Sequence, residues 1–343
     1  MATVSQSSKR SFSEAFSTDA VAQLPGYEEE KCWHSGCKEW AKFELNGKAL
    51  CGRHCNKKQV NRKVLDKSNY EAFQESFRKP RREAIAEAQR ENRDNHRVGD
   101  VIVIGHKQPN GMRDVRLMLS HPSYRASFYR DGYLAVFPNF KHGNTPEGFG
   151  CKTLSPKDMG PVHHGMSNLP TAMSIENYHQ FAKCFPCDVD ENSNPTGAWF
   201  AQRARGYSDP HPHRHSPSAV SAVGNKNSPP FSVFYSETGE ERRYTYLQCR
   251  AFYCVWYEKL AMDLPELQAL KNLRQNGTNL QIVGYDGYCE GVTMTLWEHF
   301  NDVSRPFGHE LVLYTLLTVE SPSDYPWNQY RKEHAALYEG MLP

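Results

Sequence analysis

The stretch from Tyr246 to Ala261 is the strongest constraint on the fold. Wound as a helix, it carries aromatic and aliphatic residues around nearly its whole circumference, and a helix that is apolar on every side has to be buried. Other elements must therefore surround it. A chain of 343 residues can supply them and still leave room for a smaller module. Aromatic residues at 12% place the bulk of the chain in the globular class. A net charge of only +2 argues against a uniformly basic nucleic-acid coat protein. No apolar run approaches the roughly 18 residues of a membrane span, and the Ser-rich start lacks the apolar segment of a secretory signal. The expectation is an intracellular protein, cytoplasmic or nuclear, with no membrane partner. Its ten cysteines are then reduced thiols or metal ligands rather than a disulfide framework.

A second helix is expected from Ser174 to Phe185. Ser174 can cap it through its hydroxyl, and Ile175, Tyr178, Ala182 and Phe185 recur at helical spacing as a buried stripe. Glu176, Gln180 and Lys183 fall together on another face, because positions four and seven apart stack along a helix. Such a row is either an ordinary wet surface, worth about 0.3–0.5 kcal/mol as a helix ion pair, or the wall of a pocket. In a pocket, a carboxylate can stabilise developing positive charge or activate water.

The run Glu176-Asn177-Tyr178-His179-Gln180-Phe181-Ala182-Lys183 resembles the signature helix of the NADAR family: Glu, three residues including an aromatic, Gln, two residues, Lys. The resemblance extends in outline from Gly132 to Tyr288, through the aromatic-rich helix, a Pro-Glu-Leu helix at Pro265, an Asn276-Gly277 turn, a short strand and Asp286. It implies an α+β fold, mostly helical with a few short strands. It also implies hydrolysis of an N-glycosidic bond in an ADP-ribosyl adduct or a ribosylated nucleobase or pyrimidine compound, with Glu176 catalytic and Asp286 assisting. The expected partner is a nucleotide-like small molecule or an ADP-ribosylated macromolecule, touched by Asn177, Gln180, Lys183, Arg214 and Tyr285. Lys183 and Arg214 would hold phosphates. Two positions depart from the family pattern: Ile282 or Val283 stands where the family carries an acid, and Cys289-Glu290-Gly291 where it carries Trp-Gly.

The N-terminal part is organised differently. Residues 1–24 are polar and read as a disordered tail. Residues 25–60 contain Cys32, four residues, Cys37, thirteen residues, Cys51, two residues, His54. Two close pairs separated by a hairpin-length insert supply the tetrahedral N and S ligands that structural zinc requires, and Asn46-Gly47 can turn that hairpin. His34 and Cys55 are alternative ligands. The pattern resembles a short cysteine–histidine motif of algal and large-DNA-virus proteins. Residues 61–98 read as a basic helical connector: a capping box at Ser68-Asn69-Tyr70-Glu71, a break at Pro80, then a second polar helix from Arg81. The cations across residues 53–97 are either a solvated face or a nucleic-acid contact.

Residues 99–343 are expected to form the larger domain. Val101–Gly105, Val115–Leu119 and Gly132–Phe137 read as strands. Residues 138–170 read as a long loop whose His163 and His164 face either a pocket or water, and residues 188–230 as a loop insertion rich in Ser, Asn, Pro and Gly. Cys184 and Cys187 form a Cys-x-x-Cys pair without a second pair, so packing is the simpler reading. The run His211–His215 is an anion-binding loop, part of a metal site with Cys184 and Cys187, or a solvated loop. Leu311–Leu317 is assigned to the core, and the Gly-flanked Asp286 to a strand end. The alternative to an N-glycosidase is a non-catalytic, zinc-containing protein that binds nucleic acid or nucleotide, including a structural protein of a large DNA virus.

Overall fold

The computed structural model describes residues 43–45, 48–50, 63–64, 67–104, 129–138, 145–166, 168–213, 231–236, 238–284 and 294–341. The fold is α+β, and the chain divides into two compact units, one of residues 1–151 with 268–289 and one of residues 152–267 with 290–343. The stretch expected as one domain from residue 99 is therefore distributed over both. Among the described residues no helix is long and apolar enough to cross a membrane.

The first unit begins with a small antiparallel sheet. Strands β1 (Phe43–Leu45) and β2 (Lys48–Leu50) form the expected hairpin, Phe43 opposite Leu50, and β3 (Lys63–Val64) pairs with β1 on its other edge. The proposed ligands Cys32, Cys37, Cys51 and His54 lie outside the described residues, as do the tail 1–24 and the strand expected at Val115–Leu119.

Helix α1 runs unbroken from Lys67 to Asp94 with Pro80 inside it, which corrects the expected break. Proline removes one backbone donor and crowds the preceding turn; here side chains span the defect. Arg82 pairs with Glu75, seven residues back across Pro80, and its Nη1 also donates to Glu147 Oε1 at 3.0 Å. Arg81 lies over the Tyr129 ring at 3.8 Å and donates to the carbonyls of Tyr133 and Glu147, both at 3.4 Å. The helix is thus packed into its unit rather than serving as a free connector, and two of its cations are spent on internal contacts.

It covers a four-stranded parallel sheet of order β4-β10-β5-β6, built from β4 (Val101–Ile104), β5 (Tyr133–Phe137), β6 (Gly148–Gly150) and the late strand β10 (Asn279–Val283). Runs of Val, Ile and Leu with little alternation fit strands covered on both faces. The later helix α5 (Pro265–Gln275) ends at Gly277, whose φ of +84° is the left-handed conformation that glycine adopts without strain.

In the second unit the order is α2 (Ile175–Phe181), β7 (Lys183–Cys184), α3 (Gly197–Ser208), β8 (Phe231–Tyr235), β9 (Glu241–Tyr244), α4 (Tyr246–Met262), α6 (Leu296–Asn301), α7 (His309–Thr318), α8 (Pro326–Glu333) and α9 (Ala335–Tyr338). Helix α4 is the buried centre expected from the sequence: every residue from Cys249 to Val255, with Trp256 and Tyr257, is withdrawn from solvent. Phe252 stacks on Phe234 of β8 at 4.6 Å and meets Tyr244 and Tyr338 at 4.9 and 5.3 Å. Ring pairs of this kind add about 0.5–1.5 kcal/mol each beyond their buried area.

The segment 188–230, expected as a loop insertion, contains α3. Thr196 caps it by accepting from the Trp199 N–H, and Trp199, Arg203 and Tyr207 are buried along its inner side. The Gly and Pro at its start outweigh this short stripe in a composition-based reading. Gly206 lets α3 approach α2 so closely that a Cβ there would stand 2.3 Å from the Phe181 ring.

Candidate active site

Helix α2 begins as the sequence requires and ends sooner. Ser174 caps it, its hydroxyl accepting from the Asn177 N–H at 3.1 Å. The backbone of this end is anchored as well: the Ile175 and Glu176 N–H groups donate to Met159 and Pro156 carbonyls. The helix stops at Phe181, and Lys183 and Cys184 continue as β7 against β8. Lys183 therefore does not share a helix face with Glu176, as the expected span to Phe185 demanded. Pairing with β8 satisfies the backbone that a further helical turn would have used.

The three polar side chains are nevertheless joined. Lys183 Nζ donates to Gln180 Oε1 at 3.2 Å, and Gln180 Nε2 donates to Glu176 Oε1 at 3.2 Å. The amide can point only one way in this row, because the ammonium needs its oxygen and the carboxylate its nitrogen. Glu176 is 8% exposed, so the row leads from a half-buried cation to a nearly buried anion rather than along a wet surface. A carboxylate withdrawn from water and oriented by a fixed donor is suited to stabilise a developing cation or to take a proton from water.

Asn177, expected to touch substrate, is fully buried and turned toward its own chain. Its Nδ2 donates to the carbonyls of Asp209 and His211 at 2.9 and 3.0 Å, and its Oδ1 accepts from the His213 N–H at 2.8 Å. The amide is thus a clasp on the start of the Pro/His run. Asp209 completes the turn, accepting from the His211 N–H and contacting the His213 ring at 2.8 Å. Arg214, Tyr285 and Asp286 lie outside the described residues.

His164 is held internally. It accepts at Nδ1 from the Met166 N–H and donates at Nε2 to the Pro170 carbonyl at 2.8 Å, between the rings of Tyr178 and Tyr207. Burial pushes its imidazole below the ordinary range. Behind α2, Arg203 is enclosed by Trp199, Tyr207, Phe234 and Tyr235, with its guanidinium carbon 5.2–5.9 Å from the four ring centroids. It donates to the Tyr207 hydroxyl at 3.1 Å, and that hydroxyl donates to the Tyr178 carbonyl at 3.4 Å. This ties α3 to the back of α2.

Three residues near the site were not foreseen. Tyr253 of α4 meets the His179 ring of α2 at 5.2 Å. Glu310 of α7 is fully buried, and His309 Nδ1 lies 3.1 Å from its Oε2. Arg250, itself buried, fixes the approach to α7 by donating to the carbonyls of Phe300, Asp302 and Arg305. The available signal was a charge at the head of an otherwise apolar helix, Phe307-Gly308-His309-Glu310-Leu311-Val312. An acid in such company is excluded from water and needs a reason to be there.

Comparison with family models, with curated proteins and with solved structures finds no match for this chain. Among the described residues no group of three or more His, Cys, Asp or Glu is placed to hold a metal ion.

Proposed function

We propose that this protein hydrolyses an N-glycosidic bond in an ADP-ribosyl adduct or a ribosylated nucleobase compound, with Glu176 as the catalytic carboxylate. The observation that carries the reading is the hydrogen-bonded row Lys183–Gln180–Glu176, which ends on a carboxylate only 8% exposed. The same three residues carry the sequence resemblance to the NADAR family. Breaking the bond between ribose C1′ and nitrogen builds positive charge on the sugar. An oriented carboxylate stabilises that charge or accepts a proton from the incoming water. Gln180 holds the carboxylate through Oε1 and so fixes its orientation. Lys183 keeps the amide from flipping.

The test is incubation with ADP-ribosylated protein, ADP-ribosylated DNA and free ribosylated nucleobases, comparing the wild type with Glu176→Gln. Turnover is expected in the wild type and a loss of at least ~100-fold in the variant. Equal turnover in both removes Glu176 from the chemistry. Binding without turnover in either favours the non-catalytic nucleotide-binding alternative. In the N-terminal module we further propose that Cys32, Cys37, Cys51 and His54 hold a structural zinc, the β1–β2 hairpin lying between the two pairs. Metal analysis of the purified protein and of Cys37→Ser tests that assignment.

A further inference from the structure

Tyr253 is 9% exposed, and its hydroxyl makes no hydrogen bond with any described residue. Its ring belongs to a row of rings. His179 of α2 lies 5.2 Å away, Tyr257 lies 6.5 Å away one helical turn on, and Tyr257 in turn meets His309 at 6.3 Å. The row therefore runs from the helix that carries Glu176 to the helix that carries Glu310. Its far end closes on a carboxyl with no exposure, Glu310, beside His309, whose side chain is 8% exposed and whose Nε2 has no hydrogen-bond partner among the described residues. Glu176 at 8% and Tyr253 at 9% keep a sliver of surface while Glu310 keeps none, so those two groups can meet a ligand and the Glu310 carboxyl cannot.

We propose that Tyr253 is the substrate-facing hydroxyl of the site beside Glu176, and that Glu310 with His309 is the buried pair that positions it. The assignment rests on the glycosidase reading of Glu176. Burial, then the neighbouring Tyr257 and the carboxylates of Glu176 and Glu310, pushes the Tyr253 phenol well above its ordinary range. The other titratable groups around it are His179 and Lys183 on the α2–β7 side, Cys254 on α4 and His309 on α7. A phenol held protonated is a donor at every working pH. During hydrolysis the water oxygen bonds to C1′ as the C1′–N bond breaks. Glu176 takes the proton released by the water, and the leaving nitrogen takes one from solvent. Tyr253 keeps its own proton throughout and donates a hydrogen bond to the reacting sugar.

The experiment compares the wild type, Glu176→Gln, Tyr253→Phe and Glu310→Gln by single-turnover hydrolysis across pH. It also follows Tyr253 ionisation by NMR of ring-labelled tyrosine. Tyr253→Phe, which loses one oxygen and keeps the ring packing, is expected to slow the chemical step roughly 10- to 100-fold. Glu310→Gln is expected to slow it as well and to let Tyr253 ionise at lower pH, because a negative charge that opposes the phenolate is gone. Wild-type rates in both variants, with Glu176→Gln inactive, overturn this assignment and leave the glycosidase reading standing. No turnover by the wild type overturns both. Unchanged Tyr253 ionisation in Glu310→Gln overturns the positioning role whatever the rates. If Glu310→Gln does not fold, Tyr253→Phe decides by itself, a wild-type rate overturning the assignment.

Discussion

Replacing Asn177 with alanine is expected to destabilise the protein by about 2 kcal/mol and to release the segment 209–213. The side chain is fully buried and makes three hydrogen bonds to backbone groups, two as donor and one as acceptor. Each bond contributes about 1 kcal/mol net. Their loss would total about 3 kcal/mol, but the groups left behind at Asp209, His211 and His213 lie on a partly exposed segment, where water can replace part of the loss. Urea denaturation of wild type and variant measures the global term, and hydrogen exchange at the His213 amide measures the local one. Asn177→Asp sharpens the test. It keeps an acceptor for the His213 N–H but sets a carboxylate oxygen against two carbonyls, and is expected to cost more than alanine. An alanine variant within about 0.5 kcal/mol of wild type, with the His213 amide still protected, would refute the clasp.

Three further outcomes are expected. Gly206→Ala, although alanine favours helix, is expected to lose about 1–3 kcal/mol because its Cβ collides with the Phe181 ring; stability equal to or above wild type would show that α2 and α3 can separate freely. Burial, reinforced by Lys183 at His179, by Arg203 at His164 and by Arg305 at His299, holds these three imidazoles below their ordinary range. The unfolded chain then binds protons that the fold refuses, so stability is full above the ordinary imidazole range and falls as pH drops from about 7 to about 5. His179→Gln flattens that slope in denaturation curves, and a slope that is absent or reversed contradicts the burial argument. Among the described cysteines, Cys187 is exposed, while burial pushes the thiol of Cys249 up, that of Cys254 well up and that of Cys184 up to about 12. Brief alkylation followed by mass spectrometry should mark Cys187 ahead of these three, and equal labelling would show the core opening.

The parts of the fold legible in the sequence were those written in local periodicity and caps. Helix α4 announced itself because apolar residues on all sides leave it no other place, and α5 through its Pro-Glu start and Gly277 stop. The Asn46-Gly47 hairpin and strands β4, β5 and β10 followed from turn chemistry and β-branched runs. What escaped was set by tertiary partners. Pro80 stays in a helix because Glu75 and Arg82 pair across it. Lys183 leaves a helix because β8 offers its backbone a ladder. Helix α3 hides in a polar stretch because a few large side chains do all its packing. In the site, Glu176, Gln180 and Lys183 were recognisable from spacing, although the contact between the last two is made from strand to helix. Asn177 looked like a ligand contact because nothing in its neighbours reveals a segment some thirty residues later. Tyr253 and Glu310 sit in apolar runs, where composition assigns them to packing.

One of the two inner strands of the parallel sheet is also the last of its four to be synthesised. β10 lies between β4 and β5, yet a ribosome releases those two, and then residues 152–267 of the other unit, before β10 emerges. For that interval both inner edges carry unpaired backbone donors and acceptors, the condition that invites pairing with another nascent chain. A fragment cut anywhere before residue 279 inherits the same gap permanently. Shortening the protein from its far end past residue 279 therefore dismantles the sheet at its beginning.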